Sequence, residues 1–232
     1  MPDQMIPQPS VTATPRLHVL PAGTELWRVH SGRRAGTEFK DEPADLHWGG
    51  GRFCYIRDEL STGPVLYLYA AMSPLAALCE TLARDLRTRE DGRRRIRQAQ
   101  VRDRVLSKVE AAVDLCLVDL TDGPALAAVH QSHWLVTSEA PAYPRTRRWA
   151  SWIRGQAGSA VGFRWPSRQE FGRNAADVCV LYLDEETRQH GPALLRPSSQ
   201  APLALDSRDG RRYVNDLLEP LRIRVQEPRS RK

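Results

Sequence analysis

The 232-residue sequence predicts a mixed α+β sheet domain. Three observations carry that prediction. Short apolar stretches rich in β-branched and aromatic residues recur along the chain, with Val65-Leu66-Tyr67-Leu68-Tyr69 the clearest. They interleave with helical patterns, the strongest opening at Ser73-Pro74. The balance of 41% hydrophobic to 27% charged residues is that of a chain able to bury a core.

Residues 1–22, with Pro2, Pro7, Pro9 and Pro15, read as a loose tail, residues 23–227 as one domain, and residues 228–232 as a basic tail. Leu26 to His30 reads as a first strand, followed by a polar loop through Trp48. Gly49-Gly50-Gly51 opens a second short strand, Arg52 to Ile56, and Gly63-Pro64 bounds the strand from Val65. At Ser73-Pro74 a hydroxyl cap precedes proline at the first helical position. Leu75, Leu78, Leu82 and Leu86 then recur at helical spacing as one apolar stripe. Arg87 to Arg97 reads as an exposed charged loop, Arg104 to Ala111 as a short helix, and Val113 to Leu120 as a buried strand. Thr121-Asp122-Gly123-Pro124 starts another short helix, and Arg147 to Gln156 a longer one carrying Trp149, Trp152 and Ile153. Strands are expected at Val161 to Phe163, Val178 to Leu183, and around Ile223 and Val225.

The net charge of +6 is almost wholly arginine, with Lys40, Lys108 and Lys232 the only lysines. Basic chains attract phosphate, whether in nucleic acid or in a dinucleotide, and arginine grips its oxygens in pairs. A codon bias towards arginine gives the same composition. Cys54, Cys79, Cys116 and Cys179 form no C-x-x-C pair and read as buried free thiols, without a disulfide framework or metal site. No apolar run has the length needed to cross a bilayer, and the N-terminus lacks the pattern of a secretory signal. The expectation is a cytoplasmic protein without membrane contact.

Several side chains stand out chemically. Arg28 lies inside an apolar strand, where it must face solvent or meet an anion. The glycine run before Arg52 lets backbone approach a ligand, but it fits neither a dinucleotide fingerprint nor a P-loop. Glu80 lies off the leucine stripe, beside Ala76 and Ala83, where small neighbours leave room for a ligand; a surface pair with Arg84 is the alternative. Tyr67 and Tyr69 share one strand face, suited to stacking on a base or to half-buried core. Ser167, in a loop before Arg168, has no nucleophile elbow around it.

Taken in order, Leu26-Trp27-Arg28-Val29, Gly50-Gly51-Arg52-Phe53, Val65 to Tyr69 running into Ser73-Pro74 and Glu80, and Trp165-Pro166-Ser167 resemble the RES domain. This family of bacterial toxins is named for an Arg, a Glu and a Ser. The resemblance covers roughly residues 24 to 226. It implies a mostly antiparallel sheet core with flanking helices, similar to ADP-ribosyltransferase-like toxins. It implies degradation of NAD⁺ as substrate, with no resident cofactor or metal and with inorganic phosphate as a possible co-substrate. Glu80, Arg28 and Ser167 become catalytic residues, and Arg52, Tyr67, Gly50 and Gly51 substrate-binding ones, with Tyr69 left to packing. Asn174 is expected to order the Ser167 loop. A partner antitoxin with a helix-turn-helix part is implied over the pocket, and a homodimer stays open. His47, Trp48 and the basic segment before Arg104 lie outside the family's site positions.

Two other classes compete with that reading. A nucleic-acid-binding module would use Arg93-Arg94-Arg95, Arg97, Arg102 and Arg104, although no helix-turn-helix, zinc finger or RNA-recognition motif accompanies them. A non-catalytic partner-binding protein would keep the motifs as scaffold alone. The full set of Arg28, Arg52, Tyr67, Glu80 and Ser167 favours the enzyme.

Overall fold

Alternation of side chains across a pleated strand lets one sheet bury both faces, and this chain is built around one such sheet. The computed structural model describes residues 11–41, 50–56, 65–84, 86–168 and 176–226. Among the described residues, nine strands form the main sheet: β1 Leu17–Leu20, β2 Glu25–Ser31, β3 Leu66–Ala71, β5 Arg104–Ala111, β6 Leu115–Asp119, β7 Gly162–Pro166, β8 Asp177–Leu183, β9 Leu195–Pro197 and β10 Leu203–Ala204. Their order is β1-β6-β7-β8-β3-β2-β5-β10, with β9 beside β10 on the edge of β5. Every pairing is antiparallel except that of β6 with β7. A parallel pair needs a long crossover. Here the crossover carries three helices, α3 Gly123–Ala127, α4 Trp134–Thr137 and α5 Tyr143–Gln156. A separate parallel pair joins β4 Arg94–Ile96 to β11 Ile223–Val225.

Neighbouring residues go to opposite faces. Val118 and Val180 enter one core with Ala76, Leu78, Phe163 and Trp165, while Leu117 and Leu181 enter the other with Leu20, Leu26 and Leu68. Helix α1, Pro74–Leu78, lies on the first face, capped by the Ser73 hydroxyl, which accepts from Ala76 N at 3.0 Å. The remaining helices are α2 Gln98–Val101, α6 Glu185–His190 and α7 Arg208–Leu218. No helix among the described residues is long and apolar enough to cross a membrane.

Four expectations need correction. The N-terminal stretch does not stay loose to residue 22, because β1 pairs with β6 and buries Leu20. Arg52 to Ile56 is a turn, its backbone engaged by side chains in place of a neighbouring strand. Arg104 to Ala111 is strand β5, not a helix: it pairs with β2 over seven residues, and that tertiary pairing outweighs local propensity. The Arg87–Arg97 segment is not wholly exposed loop, since β4 buries Ile96 completely. His47, Trp48, Gly49, Gly63-Pro64 and Asn174 lie outside the described residues.

One irregularity positions the site. Strand β2 meets β3 through a single register pair, Trp27 with Ala71. Beyond that pair the two strands part, and the freed edge of β3 is taken by Lys40, whose N–H donates to Tyr67 O (2.8 Å) and whose carbonyl accepts from Tyr67 N (3.1 Å). A cleft opens where the sheet splits.

Candidate active site

The cleft has a volume of about 410 Å³, within the range of small-molecule sites. Arg28, Gly50, Gly51, Arg52, Tyr67 and Glu80 all line it. Ser167 reaches the cleft through Glu80, to whose Oε1 it donates a 2.9 Å hydrogen bond. All seven residues singled out in the sequence therefore meet at one place, from segments up to 139 positions apart, from Arg28 to Ser167.

Glu80 owes its position to a local departure from regular helix. Directly after α1 the chain widens into a π-helical turn, Cys79–Ala83. Such turns concentrate at functional sites because the extra residue per turn pushes side chains off the regular stripe. Cys79, Leu82 and Ala83 pack inward, and Glu80 stays partly exposed on the cleft wall. Its Oε1 accepts from the Ser167 hydroxyl and from Arg168 N at 3.1 Å. Ser167 is 4% exposed and follows the end of β7, with its own N–H donating to Ala176 O. Two fixed donors thus hold one carboxylate oxygen.

Arg28 is 5% exposed, at the point where β2 leaves β3. One Nη donates to Gly36 O (2.6 Å) and Glu38 O (3.0 Å), while Nε has no partner among the described residues. Burial pushes its pKa down to about 10, with Glu38 opposing the shift, so it remains a cation at neutral pH. Beside it, His30 lies between Ser31 O and the Ser107 hydroxyl, and burial together with the Arg28 charge lowers its pKa.

Arg52 comes from the glycine turn. Gly50 adopts φ +83°, the left-handed region, and a Cβ on Gly51 would lie 2.7 Å from Tyr69 Oη. The turn is clamped on both sides: Phe53 N donates to Tyr69 Oη, Tyr182 Oη to Phe53 O, Thr146 Oγ1 to Arg52 O, and Arg147 Nε to Gly51 O. Arg52 itself is 4% exposed and donates to Ser138 O at 3.1 Å. Its guanidinium lies 5.9 Å from the Phe53 ring centroid and 5.8 Å from that of Tyr143, and its pKa is lowered chiefly by burial.

Tyr67 and Tyr69 pack edge to face with centroids 6.0 Å apart, and both line the cleft. Tyr69 does more than pack, since its hydroxyl fixes the glycine turn; burial holds its pKa well above the usual phenol value. Sequence reasoning also gave no cleft role to Trp27, Lys40, Arg84, Arg104 or Tyr143. Arg84 carried a signal, standing four residues after Glu80. Tyr143 carried none, because only the β6–β7 crossover brings α5 to the site. Of the basic cluster, Arg95 pairs with Asp91 at the surface (3.1 Å), while Arg104 faces the cleft. All four cysteines are free thiols, and the described residues contain no group of three or more His, Cys, Asp or Glu able to hold a metal ion.

A mostly antiparallel sheet split around a carboxylate and buried arginines defines an α+β domain with a charged cleft. The chain matches the RES domain over residues 25–206, and it belongs to that family. No curated protein matches it. Among solved structures, it is similar to a chain in the crystal structure of the Mycobacterium tuberculosis MbcT–MbcA toxin–antitoxin complex. That match has a TM-score of 0.53 at 15% identity, covering 88% of this chain and 91% of the other, and it shows a shared fold.

Proposed function

We propose that this protein is a toxin-type enzyme that cleaves the nicotinamide–ribose bond of NAD⁺. The observation that carries the reading is the Glu80 carboxylate, held by Ser167 and Arg168 N on the wall of a cleft that also contains two buried arginines. The family match and the fold shared with a chain of a toxin–antitoxin complex support the same class.

Cleavage of the bond develops positive, oxocarbenium-like charge on the ribose. A carboxylate that is already oriented stabilises that charge without reorganising during the reaction. The bonding pair leaves with the nicotinamide nitrogen, which becomes neutral, so no general acid is needed. Arg28 and Arg52 supply fixed positive charge for the pyrophosphate, and Tyr67 offers an aromatic edge to a base. Ser167 acts on Glu80, holding it in one orientation. The new bond at the ribose C1″ comes from an oxygen of phosphate or of water, giving ADP-ribose-1″-phosphate or ADP-ribose. A fold shared with a chain of a toxin–antitoxin complex supports an antitoxin as restraining partner; the helix-turn-helix type is what the sequence resemblance implies.

The test is NAD⁺ loss by the purified protein, with products identified by mass spectrometry in phosphate and phosphate-free buffer, alongside Glu80→Gln. Loss that depends on Glu80 supports the enzyme, and the product names the acceptor. Nucleotide-independent binding to nucleic acid that survives Glu80→Gln and weakens steeply with salt supports the competing class.

A further inference from the structure

The cleft has a closed end and an open one, and its charged groups are ordered between them. Trp27, Ala71, Val178 and Trp165 pair in register as one row across β2, β3, β8 and β7, and all four line the cleft. Ser167 follows just after that row, so the carboxylate it holds, Glu80, stands at the closed end. From the Trp27–Ala71 pair the banks run apart, to Ser31 along β2 and back to Tyr67 along β3. Four residues at about 3.3 Å each make about 13 Å, the scale that separates the two riboses of an extended dinucleotide. Arg28, next to Trp27, lies between the two ends.

Arg104 occupies the open end. It pairs with Ser31, and the pairs Trp27–Lys108, Val29–Leu106 and Ser31–Arg104 share one face of the sheet. Its backbone is held from both sides, by β2 and by β10, with Leu205 N donating to Arg104 O at 2.9 Å. The side chain is partly buried and lines the cleft, yet among the described residues no hydrogen bond or ion pair engages its guanidinium. Arg28 and Arg52, by contrast, are tied to backbone carbonyls. Among the described residues Glu80 is the one acidic side chain lining the cleft. The open end therefore has no carboxylate to accept from a ribose 2′-hydroxyl or to repel a phosphate there. Sites that select NAD⁺ commonly place an acid at that position, and sites that take NADP⁺ an arginine.

We propose that Arg104 is a specificity residue that holds the 2′-phosphate of NADP⁺, so that the cleft takes the phosphorylated dinucleotide at least as well as NAD⁺. This rests on the dinucleotide-cleaving function proposed above and widens its substrate class. The nicotinamide ribose lies at Glu80, the pyrophosphate at Arg28 and Arg52, and the adenosine ribose between Tyr67 and Arg104. The bond broken is the same C1″–N bond, and the 2′-phosphate takes no part in breaking it. A guanidinium fork meets two phosphate oxygens at once, which a lysine ammonium does not.

The test compares initial rates on NADP⁺ and NAD⁺ for the intact wild type, Arg104→Met and Arg104→Lys, with thermal melts to establish that each is folded. The wild type is expected to show a kcat/KM for NADP⁺ equal to or above that for NAD⁺. Arg104→Met is expected to lower the NADP⁺-to-NAD⁺ ratio at least about tenfold, the scale of losing a charge-assisted contact, with Arg104→Lys recovering part of it. A purely structural role in β5 slows both nucleotides alike, and an unchanged ratio overturns the assignment. Cleavage of NAD⁺ without cleavage of NADP⁺ overturns it as well. So does an altered dependence on inorganic phosphate at an unchanged ratio, which makes free phosphate the ligand of Arg104. If the wild type cleaves neither dinucleotide, the proposed reaction fails separately, and equilibrium dialysis of adenosine 2′,5′-bisphosphate beside adenosine 5′-monophosphate decides the subsite. Tighter binding of the bisphosphate that Arg104→Met abolishes upholds it, whereas equal binding or none overturns it.

Discussion

Removing the Ser167 hydroxyl isolates how much the orientation of Glu80 contributes to turnover. Ser167→Ala deletes one of the two donors to Glu80 Oε1, the 2.9 Å hydroxyl bond, and leaves the 3.1 Å bond from Arg168 N. Hydrogen bonds to charged groups contribute about 1.5–3 kcal/mol. Ser167 is 4% exposed, so water does not readily replace its hydroxyl, and a loss near 2 kcal/mol follows. At about 1.4 kcal/mol per tenfold, that is a fall of roughly 30-fold in turnover. Because Ser167 does not line the cleft, the loss falls on kcat, with KM for NAD⁺ nearly unchanged. Initial rates of NAD⁺ loss, with a thermal melt to establish that the variant is folded, measure this directly. A folded variant with wild-type kcat refutes the claim that Ser167 acts by holding Glu80.

Two further outcomes follow from local geometry. Gly51→Ala introduces a Cβ 2.7 Å from Tyr69 Oη, which cannot move freely because it accepts from Phe53 N; the expected cost is about 1–3 kcal/mol in thermal unfolding, with reduced activity as Arg52 shifts. His30 has a folded pKa below its ordinary 6.5, so the unfolded chain binds the extra proton first. Its contribution to stability is fully present above about pH 6.5 and is lost as pH falls towards the lowered folded value, by at most about 1.4 kcal/mol per pH unit. Melting temperatures of wild type and His30→Gln across pH 5–8 measure it, and the variant is expected to show the flatter profile.

The parts legible in the sequence were those written in local chemistry. The Ser73 cap with Pro74, the apolar run at Val65–Tyr69 and the Asp122 cap each state their structure within a few residues. Arg104–Ala111 misled because Arg, Leu, Lys, Glu and Ala favour helices locally, whereas the long pairing with β2 decides its state. Helix α7 was missed although Ser207 caps it and Val214 and Leu218 give it an inward face, because its charged residues masked the short apolar signal. The site residues could be listed from their order along the chain, but their meeting could not. It depends on the split between β2 and β3 after Trp27, and on the β6–β7 crossover that delivers Tyr143 and Thr146 to the glycine turn. Nor does helical periodicity announce the π-helical turn that sets Glu80 on the cleft wall.

The most direct test of the central claim is NAD⁺ loss by the purified wild type beside folded Glu80→Gln, followed by mass spectrometry. The account predicts release of nicotinamide by the wild type and a fall of at least about 100-fold in the variant, the scale of losing a principal electrostatic stabiliser. Equal rates in the two proteins, or no loss by a folded, antitoxin-free preparation, would contradict it.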